Sequence, residues 1–71
     1  MSKVLKPEYK KQVELYLKNL DRLIDQESYW FIERIEALKN GNKARVEFIE
    51  NTYLVPLNRK IREVAKRLSE L

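Results

Sequence analysis

The side chains that most often carry catalysis are missing from this 71-residue chain, which has no histidine and no cysteine. Those residues supply most of the acid-base groups, nucleophiles and transition-metal ligands in proteins. Carboxylates such as Glu33 and Glu36 stand at helical spacing, but they lie among arginines and lysines, as on a solvated helix surface. With one glycine, a glycine-rich phosphate loop is excluded. The sequence therefore predicts no enzyme and no site for a cofactor, a metal or a small-molecule substrate.

The positive charges are a second candidate for chemistry, because the net charge of +4 is unevenly distributed. Residues 1–20 and 56–71 carry +3 each, residues 21–40 carry −2, and residues 41–55 are neutral. A cationic end attracts polyanions, nucleic acid above all. The candidates for such binding are Lys10, Lys11, Arg59, Arg62, Lys66 and Arg67. The alternative is that the charges set the register between two copies of the chain.

The first element that positions these residues is a long helix predicted over residues 7–39. Pro7 suits the first helical turn, and the positive end of the helix dipole stabilises the negative charge of Glu8. No glycine or proline follows before Lys39. The apolar residues recur mostly every third or fourth position, which is the helical period. They are Val13, Tyr16, Leu17, Leu20, Leu23, Ile24, Phe31, Ile35 and Leu38.

A turn is predicted over residues 40–42, because Gly41 suits the left-handed conformation that ends helices and Asn42 suits an N-cap. A second helix is predicted over residues 43–70, with Pro56 expected to kink it or to break it into two. The kink is favoured, because the apolar spacing continues on both sides of the proline. Its apolar residues are Val46, Ile49, Tyr53, Leu57, Ile61, Val64, Leu68 and Leu71.

Two long helices joined by three residues must lie antiparallel, so the predicted fold is an all-α helical hairpin forming one domain over residues 1–71. The middle of each helix carries more apolar surface than one helix contact buries. We expect this surplus to pair two hairpins in a four-helix bundle or coiled coil. The predicted interface residues are Tyr29, Trp30, Phe31, Ile32, Phe48, Tyr53 and Leu54. The alternative is a monomeric three- or four-helix bundle with the first helix broken near residues 25–28.

The function predicted from these features is that of a homodimeric interaction module, a small regulator or adaptor that binds a protein partner. The competing prediction is a nucleic-acid-binding regulator that uses the basic end. No segment has the length of apolar sequence that a membrane span or a secretory signal needs, so a cytoplasmic location without membrane binding is expected.

Overall fold

The computed structural model describes residues 7–71, and these form an antiparallel helical hairpin. Helix α1 covers Pro7–Lys39, and after the turn come α2 (Lys43–Ile49), a π-helical turn (Glu50–Leu54) and α3 (Val55–Glu70). We call the continuous helical segment over residues 43–70 the second arm. The predicted hairpin and both helix ends at the turn are confirmed. Lys3 and Lys6, which add to the predicted basic end, lie outside the described residues.

The turn ends α1 with a Schellman motif. Gly41 has a φ of 67°, its N–H donates to the Leu38 carbonyl at 3.1 Å, and the Asn42 N–H donates to the Ala37 carbonyl at 2.9 Å. The Asn42 side chain then caps α2 by accepting a hydrogen bond from the Arg45 N–H at 3.2 Å. Residues 40–42 therefore end α1 and begin α2 directly, and the two arms are joined by a tight turn.

Pro56 does not break the second arm, so the favoured prediction of one helix over residues 43–70 is confirmed and the alternative of two separate helices is wrong. The irregularity is a π-helical turn directly before the proline, in which the Val55 N–H donates to the Glu50 carbonyl five residues back. This turn also explains the spacing of the inward residues. The inward residues follow one another at intervals of four, at Ile49, Tyr53, Leu57 and Ile61. In a regular α-helix the twelve residues from Ile49 to Ile61 would make about three and a third turns, so Ile61 would be rotated away from the direction of Ile49. The wider turn absorbs about one residue and keeps the stripe facing α1.

The apolar residues of α1 form two rows rather than the single stripe that was predicted. The inward row faces the second arm and contains Val13, Tyr16, Leu20, Leu23, Trp30 and Ala37, of which Ala37 is buried and the others half-buried. The outer row is offset from it by one residue, or about 100° around the helix. We call this outer row the apolar row, and it contains Leu17, Ile24, Phe31, Ile35 and Leu38.

The alternative of a three- or four-helix bundle within one chain is wrong, because α1 continues without a break through residues 25–28. The molecule is a rod of 56 × 18 × 15 Å, a cross-section that holds two helices of about 10 Å each and no third layer. Its core is correspondingly thin. The buried hydrophobic residues among those described are Ala37, Val46, Ile49, Leu57 and Val64, and Ile49 alone is fully enclosed.

Candidate interaction surface

An aromatic cluster joins the two arms midway along the rod. The rings of Trp30 and Tyr53 stack across the helix contact with centroids 3.7 Å apart and planes 3° from parallel. Tyr29 meets the edge of Trp30 at 5.0 Å, and Phe48 meets Tyr53 at 6.0 Å, both nearly perpendicular. The stack is half-buried, whereas Tyr29 and Phe48 remain exposed on one side of the hairpin. We call this side, marked by Tyr29 and Phe48, the aromatic side.

Two ion pairs fix the arms against each other near this cluster. The Arg34 Nε donates to the Glu50 Oε1 at 2.6 Å, in a part-buried position that ties α1 to the π-helical turn. Arg45 reaches Glu33 at 3.5 Å and is more exposed. The shorter pair lies where the second arm departs from α-helical geometry, so it holds that segment against α1.

The apolar row lies on the opposite side of the hairpin from Tyr29 and Phe48. Its members have exposed side chains, and Phe31 is 51% exposed although it follows the half-buried Trp30 directly. The second arm adds Leu54, which is half-buried, and Val55, which is 50% exposed. We call this side, made of the apolar row with Leu54 and Val55, the apolar side. It runs for most of the length of α1 and has no contact within the described hairpin that covers it.

An open groove forms the centre of the apolar side. It is lined by Glu27, Phe31, Glu50, Leu54, Val55 and Asn58. Phe31, Leu54 and Val55 supply its apolar surface, and the Glu50 carboxylate at its edge already accepts from Arg34. Such a surface favours an apolar helix face over a polar small molecule.

The seven predicted interface residues fall on different parts of the surface. Trp30 and Tyr53 hold the arms together, Phe31 and Leu54 belong to the apolar side, and Ile32 points away from the second arm. Tyr29 and Phe48 lie on the aromatic side. Their role in binding a partner stays a prediction. The sequence reasoning missed four exposed residues of the same surface, Leu17, Ile24, Ile35 and Leu38, by counting them as core, and missed Val55. The signal was present, since Leu17, Ile24, Phe31 and Leu38 stand seven residues apart.

The six predicted polyanion-binding residues are all exposed, but they do not share one face. Arg59, Arg62 and Lys66 follow one another at three and four residues on the outer part of α3. Arg67 instead lines a second groove, which lies between α1 and α3 on the aromatic side, and it contacts Glu63 at 3.5 Å. Lys10 and Lys11 are adjacent and therefore point about 100° apart. The hairpin brings these residues to one end without gathering them into one patch.

Residues 7–71 contain no group of three acidic, histidine or cysteine side chains placed to hold a metal ion. None of the helices within that range combines the length and hydropathy needed to cross a membrane.

Comparison of the chain with protein-family models, with curated proteins and with solved structures found no match.

Proposed function

We propose that this protein is a non-enzymatic, homo-oligomeric helical interaction module, a small regulator or adaptor that binds protein through its exposed apolar surface. The observation that supports this most strongly is the apolar row, five large side chains on one face of α1 that the hairpin leaves in water. Monomeric soluble proteins rarely expose a contiguous apolar surface of this length without a binding partner.

The total accessible surface supports the same proposal. The chain exposes 6200 Å². A folded globular monomer of its 8.6 kDa mass would expose about 4,700 Å². The excess of about 1,500 Å² is more than the roughly 800 Å² that each partner loses in a standard interface. A second layer of helices on the apolar side would bring the buried fraction toward that of an ordinary globular protein.

The first test is the mass of the purified protein in solution. Sedimentation equilibrium or light scattering at micromolar concentration should give twice the 8.6 kDa mass of one chain. A monomer across this concentration range would contradict the homo-oligomeric proposal.

A matched pair of variants identifies the surface responsible. Ile24→Glu with Ile35→Glu places two carboxylates in the apolar row, and the protein should become monomeric because burying two unpaired charges in an interface is costly. Leu15→Glu with Ile32→Glu is the control, with the same change in charge at two residues that are more exposed, 66% and 61%, and lie off the apolar row. Loss of the dimer in the control alone would assign the interface elsewhere.

Nucleic-acid binding through the basic end is the competing outcome. It predicts that DNA or RNA is retarded at low salt and released steeply as salt rises. A charge-reversal variant discriminates the two functions, because loss of nucleic-acid binding with the dimer intact would favour the competing one. It replaces the basic residues of α3 by glutamate at Arg59, Arg62, Lys66 and Arg67. Loss of self-association would favour the interaction module.

A further inference from the structure

Four members of the apolar row, Leu17, Ile24, Phe31 and Leu38, are evenly spaced along α1 at intervals of seven residues. The fifth member, Ile35, and two polar residues, Asp21 and Ser28, lie between them on the same face. Reversal of the helix about the level of Ser28 brings Ile24 to Phe31 and Leu17 to Leu38, each within one residue, and sets Ile35 opposite Asp21. The four evenly spaced residues therefore fit a reversed copy of themselves without a shift in register.

Two opposite charges on the second arm stand at nearly equal distances from Val55. The stacked pair Trp30 and Tyr53 shows which residues lie at one level of the rod, and by this register Ser28 lies beside Val55. On the same side as Val55, Glu47 precedes it by about two turns, and Arg62 follows it by two turns. Reversal about the level of Val55 therefore brings each Glu47 close to Arg62 of a second copy.

We infer that the apolar side is covered by a second copy of this chain, related by a two-fold axis that lies across the rod at the level of Ser28 and Val55. This inference rests on the proposed function and specifies its partner and geometry. The two α1 helices pack antiparallel, apolar row against apolar row, and the two second arms pack antiparallel with two Glu47–Arg62 pairs across the interface. The product is a four-helix bundle in which Ser28 meets Ser28 and Val55 meets Val55.

The overall charge distribution favours this orientation over its alternative. Over the described residues, each hairpin carries +4 at its open end, in 7–20 and 56–71, and −2 over residues 21–40 near the turn. A two-fold axis along the rod would set both basic ends together and stack α1 on the partner's second arm. The axis across the rod sets each basic end beside the acidic half of its partner.

Cysteine cross-linking tests the geometry directly, because the natural chain has no cysteine. Under mild oxidation, Ser28→Cys should form a disulfide-linked dimer. A mixture of Leu17→Cys and Leu38→Cys chains should form a linked heterodimer, while neither variant links to itself. Leu15→Cys is the control, since Leu15 is 66% exposed and lies on the far side of α1 from the apolar row, and it should stay unlinked.

A mixture of Ser28→Cys and Val55→Cys chains separates the two orientations. The axis across the rod gives only the two homodimers, whereas the axis along the rod gives the mixed disulfide. A protein that is dimeric by mass but forms the mixed disulfide between Ser28→Cys and Val55→Cys chains would overturn this inference and leave the proposed function standing. A monomeric protein would overturn both.

Charge exchange gives an independent readout in the chain without cysteine. Glu47→Arg or Arg62→Glu alone should weaken the dimer about tenfold, because each change places two like-charged pairs in the interface. The double variant should restore the affinity of the natural protein, as measured by sedimentation. Additive weakening in the double variant would overturn the assigned pairing.

Discussion

The two sides of the hairpin both expose large hydrophobic side chains, yet these side chains stand in different relations to the core. On the aromatic side, Tyr29 and Phe48 are 56% and 54% exposed, and each packs its ring against the Trp30–Tyr53 stack. On the apolar side, Phe31 is exposed to nearly the same degree, but it belongs to a row that extends from Leu17 to Leu38. Similar exposure therefore marks the edge of an internal cluster on one side and an uncovered helix face on the other.

This comparison shows that exposure alone does not identify a binding surface. The distinguishing property is whether a side chain already has its packing partner within the chain. Tyr29 and Phe48 have such partners, whereas the apolar row continues for about three turns on either side of Ser28 without one.

The largest expected effect is on the cluster that holds the arms together. Trp30→Ala should lower the free energy of unfolding by about 3 kcal/mol, because it removes the ring that stacks on Tyr53 and contacts Tyr29. Urea unfolding followed by circular dichroism measures this. Ile32→Ala, on the outward face of the same helix, should change the stability by less than about 0.5 kcal/mol. An equal loss in both variants would mean that the stack contributes little to the hairpin.

A smaller effect should separate the two sides directly. Phe31→Ala should raise the dimer dissociation constant roughly thirtyfold, the equivalent of about 2 kcal/mol at an interface anchor. Tyr29→Ala, a truncation of similar size and exposure, should leave that constant within about twofold and should instead cost about 1 kcal/mol of folding stability through the lost edge contact. Analytical ultracentrifugation and urea unfolding measure the two quantities. The reverse assignment would make the aromatic side the interface.

The smallest effect concerns the charges between the arms. Glu50→Gln should destabilise the hairpin by about 1 kcal/mol, because Arg34 loses a short, part-buried partner that is screened less than a surface pair. Glu63→Gln, in the exposed pair with Arg67 on one helix, serves as the control and should leave the thermal midpoint almost unchanged. High salt should reduce the difference between the two variants. A larger loss in the Glu63 variant would contradict this ranking.

Much of the fold was predictable because its signals are local. Pro7, Gly41 and Asn42 mark helix ends through their own backbone chemistry, and a three-residue turn leaves antiparallel packing as the compact arrangement. The inward stripe of the second arm was also correctly predicted, apart from Leu71, which is exposed.

The division of α1 into two rows was not predicted, because both rows have the same period. Residues such as Leu23 and Ile24, or Trp30 and Phe31, are adjacent apolar pairs, and periodicity does not state which member faces the other arm. Ala37 was missed as a core residue because it is small, although it follows Trp30 by seven residues. The choice between the rows depends on contacts with the second arm, which are distant in sequence.

The π-helical turn has a consequence for how the length of this chain can change. It accommodates one residue more than a regular helix would need between Ile49 and Leu57, and its Asn51 and Thr52 are exposed. Deletion of one of them, together with Pro56→Ala, would convert the turn to ordinary α-helix and keep α3 rotationally aligned with α1. The deletion combined with Pro56→Ala should thus preserve the fold, whereas a deletion of one residue within α3 would rotate every later side chain by about 100°.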